Sequence, residues 1–259
     1  MDTLITAHSG CESTLQDSME SVELAIEFGA DAIEMDVRRA DGGLLYISHD
    51  RKCGNEILEK ISLESVFERI KDTSLKFNCD IKEPFALPGT LDMARHFGFG
   101  PDRLILTGSV SPEQLAHEPT ITERASIYIN IEEALKFFYM KQLYANRDEA
   151  SFPKLMTDAK PFVLEMMEDD RCIAALIRMT RTLNVCGINM PHQIFTKELA
   201  ERFHTESIAC SVWTVNEYAD ADRCLALGAE NITTRAVRTV IERRRISTDK
   251  KLEHKGAKQ

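Results

Sequence analysis

The stretch "AIEMDVRRADGGLLYISHD", Ala32 to Asp50, puts two carboxylates, Glu34 and Asp36, inside an apolar run and ends a second apolar run on His49. Between the runs, Asp41-Gly42-Gly43 is a hairpin turn signal. The reading is therefore a strand at 32–37, a tight turn, and an antiparallel strand at 44–49. Residues two apart on a strand share a face, so Glu34 and Asp36 point the same way. Bare carboxylates do not stabilise a core strand, so this face must serve something other than packing.

On either side of this stretch, apolar runs alternate with helical patterns along nearly the whole chain. Further strand runs are 4–8, 76–82, 103–108, 126–131, 185–190, 208–215 and 230–234. Helical periodicity marks 15–28, 62–70, 90–97, 196–204 and 217–227. Eight buried strands in β-then-α order predict an α/β fold, a (β/α)8 TIM barrel. Residues 132–184 are too many for one connecting helix and read as two or three, with 161–167 either an extra strand or a helix start. No Gly/Ser linker or repeat divides the chain, so residues 1–245 read as one domain. Residues 246–259 read as a basic, flexible C-terminal tail.

The composition excludes several functions. Net charge is −10, with 32 Lys and Arg against 42 Asp and Glu, which argues against nucleic-acid binding. No run of 18 apolar residues exists to span a membrane, and "MDTLITAHSG" lacks the layout of a secretory signal. The seven cysteines (11, 53, 79, 172, 186, 210 and 224) show no CxxC spacing; most lie in apolar surroundings and read as reduced core thiols, which implies a cytoplasmic protein.

In such a barrel the C-terminal ends of the strands face the active site. His8 closes the first strand, Glu34 and Asp36 lie in the second, and Asp80 and Lys82 are two apart in the next barrel strand. His49, ending the hairpin, can fold back over the same rim. Neighbouring buried carboxylates repel, and a divalent cation with its preference for hard oxygen ligands resolves that conflict. Two flanking imidazoles suit proton removal and donation. Together these residues spell H…ExD…H…DxK, each at a strand end.

The segments "AHSG", "EFGADAIEMDVRRADGGLLYISHD", "FNCDIKEP" and "VWTVNEYADADRCLALGAENITT" resemble the glycerophosphodiester phosphodiesterases, whose pattern is HR, ExD, a later H, an ExK strand and a late WTVN strand. The resemblance runs from about Leu4 to Val240. It implies a metal-dependent TIM barrel of the PLC-like phosphodiesterase type that hydrolyses glycerophosphodiesters to an alcohol and glycerol 3-phosphate. It further implies Glu34, Asp36 and Asp80 as ligands of Mg²⁺ or Ca²⁺, and His8 and His49 as acid and base. Lys82 would contact a phosphate oxygen and Trp213 would line the glycerol pocket. The chain departs from the pattern in several places. Ser9 stands where the family has arginine, Gln16 replaces the acid of a PEN triplet, Asp80 replaces glutamate, and the insertion after the second histidine is nearly absent.

Ser9 keeps a substrate-binding expectation by its position. Asn189 and His192, in "NMPH" at the end of a strand, are further expected substrate contacts. Cys11 beside His8 reads as a core thiol. Leu135, Phe138, Tyr139 and Leu143, at helical spacing, read as core or as a face for a homo-oligomer. The expected partner is a small-molecule phosphodiester. The rival reading, motivated by Ser9 and Gln16, is a degenerate barrel that binds phosphorylated ligands without turnover.

Overall fold

A computed structural model of the protein describes residues 3–137 and 169–256. Its strands are β1 (Leu4–His8), β2 (Ala32–Arg39), β3 (Leu45–Ile47), β4 (Lys76–Ile81), β5 (Leu104–Gly108), β6 (Ser126–Asn130), β7 (Gly187–Pro191), β8 (Ala209–Trp213) and β9 (Asn231–Thr234). They form one sheet in the order β1-β9-β8-β7-β6-β5-β4-β2-β3, and a β1–β2 pairing closes it. Apart from β3, every pairing is parallel. The result is the eight-stranded (β/α)8 barrel, with β3 an antiparallel appendage to β2 that pairs Val37 with Ile47 and Arg39 with Leu45.

Alternation along each strand sorts the residues into two shells. Ile5, Ile33, Met35, Phe77, Cys79, Leu106, Ile129, Ile188, Val212 and Ile232 are buried against the surrounding helices. Burying each large apolar side chain contributes roughly 1.5–3 kcal/mol, so this layer carries the stability. Branched aliphatics usually fill the inside of such a barrel. Here many of the inward positions are polar. Thr6 Oγ1 donates to Asn231 Oδ1 at 2.6 Å, Asn231 Nδ2 to Ser211 Oγ at 2.9 Å, and Ser211 Oγ to Asn189 Oδ1 at 2.8 Å. Asn189 Nδ2 donates to Asn130 Oδ1 at 2.8 Å, and Thr107 Oγ1 to Asn78 Oδ1 at 3.0 Å. Each bond nets only about 0.5–1.5 kcal/mol, but leaving these groups unpaired in the interior would cost more than that. This belt forms the floor beneath the rim.

The helices match the expected pattern with local shifts. Ser62 caps Leu63–Ile70 by accepting from Ser65 N, and Thr196 caps Lys197–Thr205 by accepting from Leu199 N. The first helix is shorter than its periodicity suggests, Met19–Glu27 rather than 15–28. Asp17 has φ +59°, which no helix accepts, and Ser18 caps the helix by accepting from Ser21 N. Short helices at Pro112–His117 and Ile121–Arg124 add to those expected. From residue 132 to 184, the described residues include the helix Asp170–Thr182. The segment 161–167 and residues Phe138, Tyr139 and Leu143 lie outside the described residues. Val237–Gly256 is helical, so the helix runs on into the basic segment that starts at 246.

Candidate active site

Strand register brings the acids together. His8 pairs across β1–β2 with Glu34, and Asp36 pairs across β2–β4 with Asp80. One carboxylate oxygen from each of Glu34, Asp36 and Asp80 lies within 4.8 Å of the others. Glu34 is 6% exposed and Asp36 3%. Gly108 makes room for Asp80: its φ is +79°, and a Cβ there would fall 1.9 Å from Asp80 Oδ1. Lys82 Nζ sits between two of the acids, 2.7 Å from Asp36 Oδ1 and 2.7 Å from Asp80 Oδ2.

One ammonium does not satisfy three carboxylates. Among the described residues, Glu34 Oε2, Asp36 Oδ2 and Asp80 Oδ1 are buried with no hydrogen-bond partner. Burial, and then the charges of Asp36 and Asp80, push the Glu34 carboxyl well above the usual carboxylate range. Burial also raises Asp80, although Lys82 opposes it. Burial pulls Lys82 down, but the two aspartates outweigh this and hold it above the ordinary lysine value. Three clustered carboxylates, each with a buried oxygen left unpaired among the described residues, are a fitting donor set for a hard divalent cation. A second group of metal-binding residue types, His204, Cys210 and Glu230, lies at the opposite end of the barrel. There Glu230 already accepts from Cys210 N and faces His204.

Both histidines reach this rim. His8 Nδ1 lies 2.8 Å from Ser9 O and 3.7 Å from Glu34 Oε2. Burial lowers its pKa, partly offset by the bond to Ser9 O. Donation from Nδ1 to the carbonyl leaves Nε2 as the acceptor. His49 is more open, with Nδ1 3.1 Å from Asp50 Oδ1. Its backbone is held on two sides. Asp17 Oδ2 accepts from His49 N at 2.9 Å, and Arg38 Nε donates to Ser48 O at 3.0 Å and His49 O at 3.1 Å. Arg38 in turn pairs with Glu83.

These groups line a cavity of about 470 Å³ together with Gln16, Asn78, Thr107, Asn130, Glu132, Asn189, Trp213, Thr233 and Arg235. Asn189 and Trp213 are thus both on the cavity wall, and Trp213 Nε1 is buried without a partner among the described residues. Two expected substrate contacts do not reach the cavity. Ser9 is fully buried; its Oγ accepts from Asp17 N at 2.6 Å and lies 3.1 Å from Asp17 Oδ1. His192 is buried beside Asp220 and Arg223, because Pro191 turns the chain outward into a short 3-10 helix. Cys11 is a buried thiol against Ser21. Sequence reasoning misses Asn78, Thr107, Asn130, Glu132, Thr233 and Arg235. Polar alternation in "KFNCDIK", "SIYIN" and "NITT" is the available signal for most of them.

The chain is thus a closed parallel TIM barrel whose C-terminal rim gathers three acids, a lysine and two histidines. The model of the Glycerophosphoryl diester phosphodiesterase family matches residues 8–83, a segment that contains all six of those residues. That match covers the first part of the barrel, from the end of β1 to just past β4. No curated protein matches it in sequence. Among solved structures it is similar to a glycerophosphodiester phosphodiesterase from Thermotoga maritima, with TM-score 0.66, 18% identity, and 93% of this chain and 98% of that one covered. A second, from Parabacteroides distasonis, gives TM-score 0.66 at 15% identity, covering 96% of this chain and 98% of that one. A phosphodiesterase from Oleispira antarctica, solved with the product sn-glycerol-3-phosphate, gives TM-score 0.63 at 11% identity, covering 93% and 96%. At these identities the likeness is one of fold.

Proposed function

We propose that the protein is a metal-dependent glycerophosphodiester phosphodiesterase, releasing glycerol 3-phosphate and an alcohol. The observation that carries this reading is the clustering of the Glu34, Asp36 and Asp80 carboxylates with His8 and His49 in one cavity. Glu34, Asp36 and Asp80 would hold the cation, Mg²⁺ or Ca²⁺. When bound, the ion supplies positive charge to offset the negative charge that builds on the phosphoryl oxygens.

The chain's own groups do the rest. His8, kept neutral by burial and with its Nδ1 proton on the Ser9 carbonyl, takes a proton from the attacking hydroxyl at Nε2. His49, oriented through Nδ1 by Asp50, delivers a proton to the leaving alkoxide. Lys82 Nζ bridges Asp36 and Asp80 and has a third N–H to offer a phosphate oxygen. Trp213 offers its unpaired indole N–H to the glycerol moiety. The seven unpaired cysteines support a cytoplasmic setting, and among the described residues no helix is long and apolar enough to cross a membrane.

Binding without turnover, the rival reading, draws on Ser9 and Gln16. Incubation with glycerophosphocholine and Mg²⁺ or Ca²⁺ separates the two, since hydrolysis yields glycerol 3-phosphate and bare binding yields none. His8→Ala and His49→Ala should each lower kcat by roughly 10²–10⁴-fold with the fold retained. Activity that survives EDTA, or unchanged turnover in both variants, refutes the proposal.

A further inference from the structure

Among the described residues the cavity wall is short of positive charge. Lys82 is committed to Asp36 and Asp80 at 2.7 Å each, and Ser9, beside His8, is a buried neutral residue. A phosphodiester is an anion, and its non-bridging oxygens need donors that do not already belong to the acids. Arg235 also lines the cavity, immediately after β9 and so next to β1 in the barrel.

We propose that Arg235 is the phosphate-gripping residue of this cavity, its guanidinium anchored on the Ser9 carbonyl and open toward the bound phosphodiester. The assignment deepens the functional reading above and rests on it. Three observations carry it. The backbone of Arg235 is fixed on both sides: its N–H donates to Asn216 Oδ1 at 2.9 Å, and its carbonyl accepts from Glu12 N at 2.8 Å. Its Nε lies 3.4 Å from Ser9 O, the same carbonyl that His8 Nδ1 contacts at 2.8 Å. That shared acceptor places the guanidinium beside the imidazole, where a reacting phosphate has to sit. Finally, Arg235 forms no ion pair among the described residues. A guanidinium carries five N–H donors, so with Nε on the carbonyl four remain on the terminal nitrogens. Two parallel donors match two phosphate oxygens, a geometry that lysine or serine cannot reproduce.

The test uses Trp213, the one tryptophan of the chain, as a reporter on the cavity wall. The full-length protein is titrated with sn-glycerol 3-phosphate in the presence of Mg²⁺, with binding read by intrinsic fluorescence and confirmed by calorimetry. Arg235→Gln should weaken binding by roughly 10- to 100-fold, the range expected for losing charge-assisted hydrogen bonds. Arg235→Lys, which keeps the charge and loses the fork, should fall in between. Thermal unfolding of both variants should match the parent. An affinity within twofold of the parent in both variants overturns the assignment, as does a parent protein with no measurable affinity for the probe. Glycerophosphocholine turnover is read in parallel. Arg235-dependent binding without product sinks the hydrolytic reading and leaves the grip standing. Product formed equally by parent and Arg235→Gln, with unchanged affinity, does the reverse.

Discussion

Lys82→Met tests the electrostatic logic of the site directly, because it removes the ammonium between Asp36 and Asp80 while keeping a side chain of similar length. Both ion pairs are 2.7 Å long, with Asp36 4% and Asp80 20% exposed. Stranding the partner of a buried ion pair costs about 3–5 kcal/mol. Lys82 is 21% exposed and borders a water-accessible cavity, so screening trims this to about 2–3 kcal/mol. For a chain of this size each kcal/mol shifts Tm by about 2–4 °C, giving a fall of about 4–12 °C for metal-free protein at pH 8. Two conditions should shrink the loss. Millimolar Mg²⁺ or Ca²⁺ should restore most of it, since a cation held by the same carboxylates replaces the lost charge. Lowering the pH should also reduce it, because the Asp80 carboxyl, raised by burial, then takes up a proton instead of repelling its neighbours. The assay is thermal unfolding by circular dichroism, with parent and variant in EDTA and in each metal. A variant that melts within about 1 °C of the parent in EDTA, or that gains no more from metal than the parent does, refutes the reasoning.

The same geometry makes two further outcomes testable. Burial and the neighbouring acids raise the Glu34 carboxyl in the folded protein. Its stabilising contribution is therefore complete below the ordinary glutamate range and is lost as pH rises toward the folded value. In EDTA, Glu34→Gln should accordingly gain Tm relative to the parent between pH 5 and pH 8, and a constant difference across that range would contradict the assignment. Asp17 tethers the His49 backbone and the Ser9 hydroxyl, so Asp17→Ala should lower kcat by roughly 10-fold or more with little change in KM. Asp17→Asn, which keeps an acceptor and tolerates the φ of +59°, should recover much of that loss; equal defects in the two variants would argue for mere destabilisation.

Much of the fold is legible in the sequence because each strand is a local pattern. Eight apolar runs in β-then-α order require a closed parallel barrel, and ExD and DxK spacings require shared faces whatever the tertiary detail. The hairpin after β2 and the cap at Ser62 are equally local, written in Asp41-Gly42-Gly43 and in the serine that precedes a helical period. Periodicity overstates the first helix because the φ of Asp17 is set by contacts with Ser9 and His49, residues outside the helical segment.

Local pattern alone was enough to establish which chemical groups the barrel strands and their flanks carry: three acids, a lysine and two histidines, in the order a barrel needs. Which of their neighbours share the cavity is settled by folding. Ser9 and His192 sit at strand ends yet turn inward to Asp17 or outward to Asp220 and Arg223, because side-chain direction beyond a strand depends on the turn after it. Arg235 is separated from Ser9 by nearly the whole chain, and the closure of β9 against β1 is what brings the two into contact. Periodicity encodes faces within a segment; distances between segments are set by packing, and packing arises only when the ring is complete.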